Sequence, residues 1–148
     1  MKILANQCKR PSKLVGEKDL SVVIEDSGTM HALCYLPLGK FKSALALAHC
    51  QINHENPLRF FVTKQGEIII NPRIVERSGQ EISDTEGCMS FPFRGETKVK
   101  RSSEITVCFQ VLNKNKKLSK PKVKKFEGLE ARIFQHEIDH FNGKSIYP

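Results

Sequence analysis

Expected to be missing from this sequence of 148 residues are an export signal, a bilayer-length apolar run and a paired cysteine framework. The first residues, Met1-Lys2-Ile3-Leu4-Ala5-Asn6, carry no apolar core of the kind a secretory signal needs, which argues against export. The longest apolar runs, Ala44 to Ala48 and Ile68 to Ile70, fall far short of the ~20 residues that cross a bilayer as a helix. Five cysteines (8, 34, 50, 88 and 108) are an odd number without framework spacing, so reduced thiols are expected, one of them functional. Neither an internal repeat nor a linker divides the chain, and residues 1–148 are expected to form one domain in the cytoplasm, away from any membrane.

Acids are scarce in one long stretch. Between Lys98 and Lys125 there are ten Lys or Arg residues (98, 100, 101, 114, 116, 117, 120, 122, 124 and 125) against the single acid Glu104. This stretch dominates a formal charge of +8. Such a field favours an anionic partner such as RNA, although a solvated hairpin accounts for it equally well.

Patterning then separates strands from helices. Apolar residues between Asp19 and Leu36 fall loosely at helical spacing, with Ser27-Gly28-Thr29 as an expected interruption. Strands are expected over Phe60 to Val62 and Glu67 to Asn71, joined by a turn at Gln65-Gly66. Pro72 should end the second strand, and Arg73 to Ile82 should form another region broken by a Ser78-Gly79 turn. Ile105 to Leu112 alternates strictly, Asn113-Lys114-Asn115 reads as a turn, and Leu118 to Phe126 as the returning partner. From Glu127 to Asn142, Leu129, Ile133, Phe134, Ile138 and Phe141 recur at three- and four-residue steps before Gly143, the mark of an amphipathic helix with a terminal glycine. The fold class is therefore α+β, with antiparallel strands packed around that late helix.

The same helix carries His136-Glu137-Ile138-Asp139-His140. Residues four apart stack on one helical face, so both imidazoles can reach one metal ion, with Glu137 placed to reach a water. On its own the pattern fits a metal site and a pair of ordinary histidines equally. A catalytic tetrahedral site also needs a third protein ligand. Upstream, Glu86-Gly87-Cys88-Met89-Ser90 offers a thiolate, a strong ligand for first-row divalent metals, although a lone cysteine is more often inert core.

Together, EGC-x-S and QHEIDH, about fifty residues apart, resemble the peptide deformylase family, closest over Glu86–Pro92 and Gly128–Gly143. The resemblance implies a central metal-binding HExxH helix and hydrolytic removal of the N-formyl group from the initiator methionine of nascent polypeptides. It implies one divalent metal on Cys88, His136 and His140, natively Fe(II), with Zn(II), Ni(II) or Co(II) as substitutes. It makes Glu137 the proton carrier, and Gln51 with the backbone N–H of Met89 the oxyanion donors. Substrate is expected against Leu45 and Ala46, with the methionine side chain against Leu129 and Ile133; core packing would equally explain the last two. Glu86 is expected to make a structural ion pair with Lys100 or Arg101.

The sequence departs from the family at G-x-G-x-A-A-x-Q, which here reads Ala44-Leu45-Ala46-Leu47-Ala48-His49-Cys50-Gln51. The added methyls should narrow the cleft, and would be strained if the family glycines need positive φ. His49 is expected to turn into the core, and Cys50 to be inert. Asp84 stands where the family is often apolar, which should alter substrate preference. The chain resembles short forms found in phages and organelles, which lack the C-terminal ribosome-binding helix of longer members; a phage protein would work in the host cytoplasm. The basic 98–125 region is the expected substitute surface for the ribosome or rRNA. The alternative is a catalytically weakened relative that binds metal or associates with the ribosome.

Overall fold

A computed structural model describes residues 2–36, 44–91 and 93–147. Pro92 of the Glu86–Pro92 stretch therefore lies outside the described residues. Two α-helices and five strands are found among those described: α1 (Leu20–Leu33), β1 (Ala46–Ala48), β2 (Phe60–Thr63), β3 (Ile68–Glu86), β4 (Thr97–Gln110), β5 (Lys122–Glu127) and α2 (Gly128–Phe141). The strands form one antiparallel sheet in the sequential order β1-β2-β3-β4-β5. Each strand meets its chain neighbour, so local turns generate the whole sheet.

Period-two alternation gives the sheet two apolar faces, each covered by one helix. On one face Phe61, Ile105, Val107, Phe109 and Phe126 pack with Ala131, Phe134, Ile138 and Phe141 of α2. Phe126 and Phe134 stack with centroids 4.1 Å apart, and Phe61 meets Phe134 edge-on at 5.1 Å. On the other face Leu47, Phe60, Val62 and Ile70 pack with Leu20, Val23, Met30 and Leu33 of α1.

Several local expectations are corrected. α1 runs unbroken through Ser27-Gly28-Thr29. Gly28 has open space around it, and the Ser27 hydroxyl donates back to Ile24 O at 2.9 Å, so neither residue competes with the helix. Pro72 does not end a strand, and Ser78-Gly79 is not a turn. Both lie within the 19 residues of β3 at shifts in its register against β4. Asn71 (φ 53°) and Gly79 (φ 72°) sit at two of these shifts, where a bulge absorbs residues that would break a regular ladder. β4 also begins at Thr97, well before the alternating segment that was legible, because its first half pairs with β3 through polar residues. Leu118 makes only an isolated bridge to Leu112, and β5 proper starts at Lys122. α2 ends as its sequence indicates: Gly143 adopts φ 72°, and the Lys144 N–H reaches back to Asp139 O at 2.9 Å.

Candidate metal centre and cleft

α2 packs on the sheet against β4, β1 and β5, and its His140 meets the segment after β3. Cys88 lies two residues beyond Glu86, the last residue of β3, with Gly87 between them, and the amphipathic pattern of α2 turns His136 and His140 to the same place. Cys88, His136 and His140 bring one donor atom each to within 4.8 Å of one another. Cys88 Sγ lies 3.5 Å from His140 Nε2.

The donors are held by their surroundings. His136 Nδ1 lies 2.8 Å from Glu86 Oε1, an acceptor-only partner that directs the ring's Nδ1–H and leaves Nε2 for the cluster. Glu86 is itself gripped by Arg101, through Nε at 3.0 Å and Nη2 at 2.9 Å, and by Arg132 Nη1 at 2.5 Å. Burial alone would raise the Glu86 carboxyl, but hydrogen bonds and charge from His136 and Arg101 outweigh it and hold it down at about 2. The ion-pair partner is therefore Arg101; Lys100 is exposed. Asp139 accepts from Arg101 Nη1 at 2.5 Å, extending the network back onto α2. Burial, reinforced by the charges of His136 and Arg101, lowers the His140 pKa well below its usual range and keeps this ring neutral, as a metal ligand requires.

Glu137 is 4% exposed, and its Oε2 has no hydrogen-bond partner. Burial is the main reason its pKa rises to about 7; Glu86 adds to the rise while His136 and Arg101 oppose it. An orphaned buried carboxylate oxygen beside a thiol and two imidazoles is the arrangement that a divalent ion and its water would satisfy. The residues present fit such a group.

Gln51 closes the other side. Its Oε1 accepts the Ala48 N–H at 2.9 Å, which turns Nε2 toward Ser90 Oγ at 3.1 Å and Cys88 Sγ at 4.0 Å. Cys88, Gln51, Glu137, His136 and His140 thus converge, and Met89 follows with its side chain buried.

A cleft of about 250 Å³ opens beside this cluster, lined by Leu45, Ala46, Leu129 and Ile133 together with Gln51, Met89, His136 and Glu137. Ala44 also lines it, and Ala44 and Ala46 are absent from the residues with positive φ, so the alanines in place of family glycines carry no backbone strain. Both alanines are buried, 5% and 8% exposed. His49 turns away into the core, fully buried. Its Nε2 lies 2.8 Å from Asp26 of α1, its Nδ1 accepts the Leu58 N–H at 2.9 Å, and its ring stacks on Phe60. Cys50 is buried too, and burial raises its thiol beyond any useful ionisation. Asp84 is exposed and does not line the cleft. The cleft residues missed from sequence are Thr85, Glu96 and Arg132. Only Arg132 carried a signal, since it precedes Ile133 by one position and His136 by four on the same helix.

An antiparallel sheet with a Cys-His-His cluster beside a buried carboxylate defines an α+β protein with a candidate mononuclear metal centre. A family profile described as Polypeptide deformylase matches residues 3–148. The peptide deformylase of Chloroflexus aggregans is 35% identical over 154 residues, covering 96% of this chain and 77% of that relative. The peptide deformylase of Dictyoglomus thermophilum is 38% identical over 110 residues, covering 72% of this chain and 66% of that relative. Among solved structures, peptide deformylase from Thermotoga maritima superposes with a TM-score of 0.78 at 28% identity, covering 99% of this chain and 95% of that one. Plasmodium falciparum peptide deformylase in complex with an inhibitor gives 0.77 at 30% identity, covering 97% and 84%. The chain belongs to the polypeptide deformylase family.

Proposed function

We infer that this protein is a metal-dependent peptide deformylase, hydrolysing the N-formyl group from the initiator methionine of nascent polypeptides and releasing formate. The observation that carries this reading is the convergence of Cys88, His136 and His140 within 4.8 Å, beside the unpartnered Oε2 of Glu137. Residues 1–148 act as one catalytic domain built around α2 as the metal-binding helix.

Cys88 Sγ and the two imidazoles would hold a divalent ion, which would supply Lewis-acid polarisation and a more acidic water there. Fe(II) is the native choice implied by the family, and the soft thiolate with two imidazoles also suits Zn(II), Ni(II) or Co(II). Glu137 Oε2 takes the proton from the attacking water and returns it to the departing amine nitrogen. Gln51 Nε2 and the Met89 N–H donate to the oxygen that gains charge as the formyl carbon becomes tetrahedral. Glu86 holds His136 in orientation. Leu45 and Ala46 guide the peptide, while Leu129 and Ile133 receive the methionine side chain in an apolar wall.

The protein works in the cytoplasm, the host cytoplasm for a phage. Its basic 98–125 region faces the ribosome or rRNA, the carrier of its substrates.

The direct test is formate release from formyl-Met-Ala-Ser by anaerobically prepared, metal-quantified protein. Turnover in proportion to bound metal supports the reading, and metal-loaded protein that releases no formate rejects it.

A further inference from the structure

The charges deep in the cleft are spent on one another. Glu86 is taken by Arg101, Arg132 and His136. The Arg132 guanidinium is in turn used by Glu86, Val99 O at 3.1 Å and Ile82 O at 2.7 Å. Leu45, Leu129 and Ile133 add an apolar stretch of wall. Apart from the buried Glu137, one lining charge remains outside this network. Glu96 is exposed and makes no ion pair or hydrogen bond among the described residues. Lys98, two residues on, is exposed and lies outside ion-pair reach of it.

Glu96 is also held in place from both sides. The carbonyl of Gly95 accepts the Tyr147 hydroxyl, whose ring lies under the Arg94 guanidinium at 4.5 Å. Thr97 pairs with Glu86 in the β3–β4 ladder. The backbone at Glu96 is therefore anchored, and its exposed carboxylate adds a negative charge at the mouth of the cleft, where the remaining lining charges are buried or paired.

We propose that Glu96 is a specificity-determining residue that favours formyl peptides carrying a lysine or arginine in the first two positions after the methionine. The proposal rests on the deformylase reading. An apolar methionine side chain satisfies the apolar wall, and the residues following it leave along the mouth. There a basic side chain meets an unpaired carboxylate, and an acidic one meets like charge. Attraction and repulsion between solvent-exposed charges together amount to about a three- to tenfold difference in kcat/KM. The difference belongs mainly to KM, because Glu96 does not approach the reacting atoms.

The experiment measures kcat/KM on matched formyl-Met peptides carrying lysine, alanine or glutamate at the second and third positions, at low and high salt. Wild type should prefer lysine over glutamate by that factor at one of the two positions, and raising salt should shrink the preference. E96Q should remove it and E96K should invert it, each variant being normalised to its own alanine peptide. A wild-type lysine-to-glutamate ratio near one, or a ratio that E96Q leaves unchanged, overturns the proposal. Formate from every peptide without charge preference rejects the role of Glu96 alone; no formate from any peptide rejects the deformylase reading, and this proposal with it.

Discussion

Glu86 accepts from three donors at once: Arg101 at 2.9 Å, Arg132 at 2.5 Å and His136 at 2.8 Å. A carboxylate so placed fixes the tautomer and the angle of a ligand ring, and such partners are worth about 10- to 100-fold in metal affinity. Glu86→Ala should weaken metal binding by that range in a competition titration against a chelator; unchanged affinity would show that His136 needs no support. Cys88→Ala should abolish stoichiometric binding, and a retained full equivalent of metal would refute the ligand assignment. Both candidate ligand segments are legible in sequence because each carries its residues in a few contiguous positions. Arg132 and Arg101 were harder to place, since their meeting with Glu86 depends on the β3–β4 register and the lie of α2 across it. Glu96 carried no pattern at all: an exposed acid in a loop acquires meaning only from the cleft beside it.

At the level of elements, α2 was readable almost to the residue, because its apolar period and terminal Gly143 agree. β3 was not. Pro72 and Ser78-Gly79 are ordinary breakers, and only the ladder shows them absorbed as irregularities in one long strand. Phe134 anchors α2 to Phe61 and Phe126 and is 4% exposed. Phe134→Ala should cost about 3–5 kcal/mol in denaturant unfolding, and a loss under 1 kcal/mol would mean the site repacks freely. His49 joins α1 to the segment bearing Gln51. Burial lowers its pKa, with Asp26 opposing, so the folded protein resists a proton that the unfolded chain accepts. Its contribution to stability is thus present above about pH 6.5 and is lost as pH falls from there through the lowered folded value. The melting temperature of His49→Gln should therefore vary less between pH 7 and pH 5 than that of wild type. An identical slope in the two proteins would remove His49 from that linkage.

Across the whole molecule, charge and chemistry occupy different regions. Much of the excess behind the formal +8 lies in the β4–β5 stretch, where Lys114, Lys116 and Lys117 are exposed in the connecting segment. Neutralising these three should weaken ribosome co-sedimentation and flatten its salt dependence while leaving turnover of a small formyl peptide unchanged. Co-sedimentation equal to wild type would leave the region as a solvated hairpin. No described helix is long and apolar enough to cross a membrane. The family pattern was legible despite the altered glycine motif because the three donors, Glu137 and Gln51 were all present in the chain. The consequence of Ala44 and Ala46 was not legible, since whether alanine strains a strand depends on a φ angle that only the folded backbone supplies.

The central claim is that Glu137 moves the proton at a metal centre it does not itself build. Formate released per bound metal, compared between wild type and Glu137→Gln, tests it most directly. Equal metal in both proteins and a drop in kcat of about 10²- to 10⁴-fold in the variant is the expected result. Turnover per metal that survives the substitution would contradict the account.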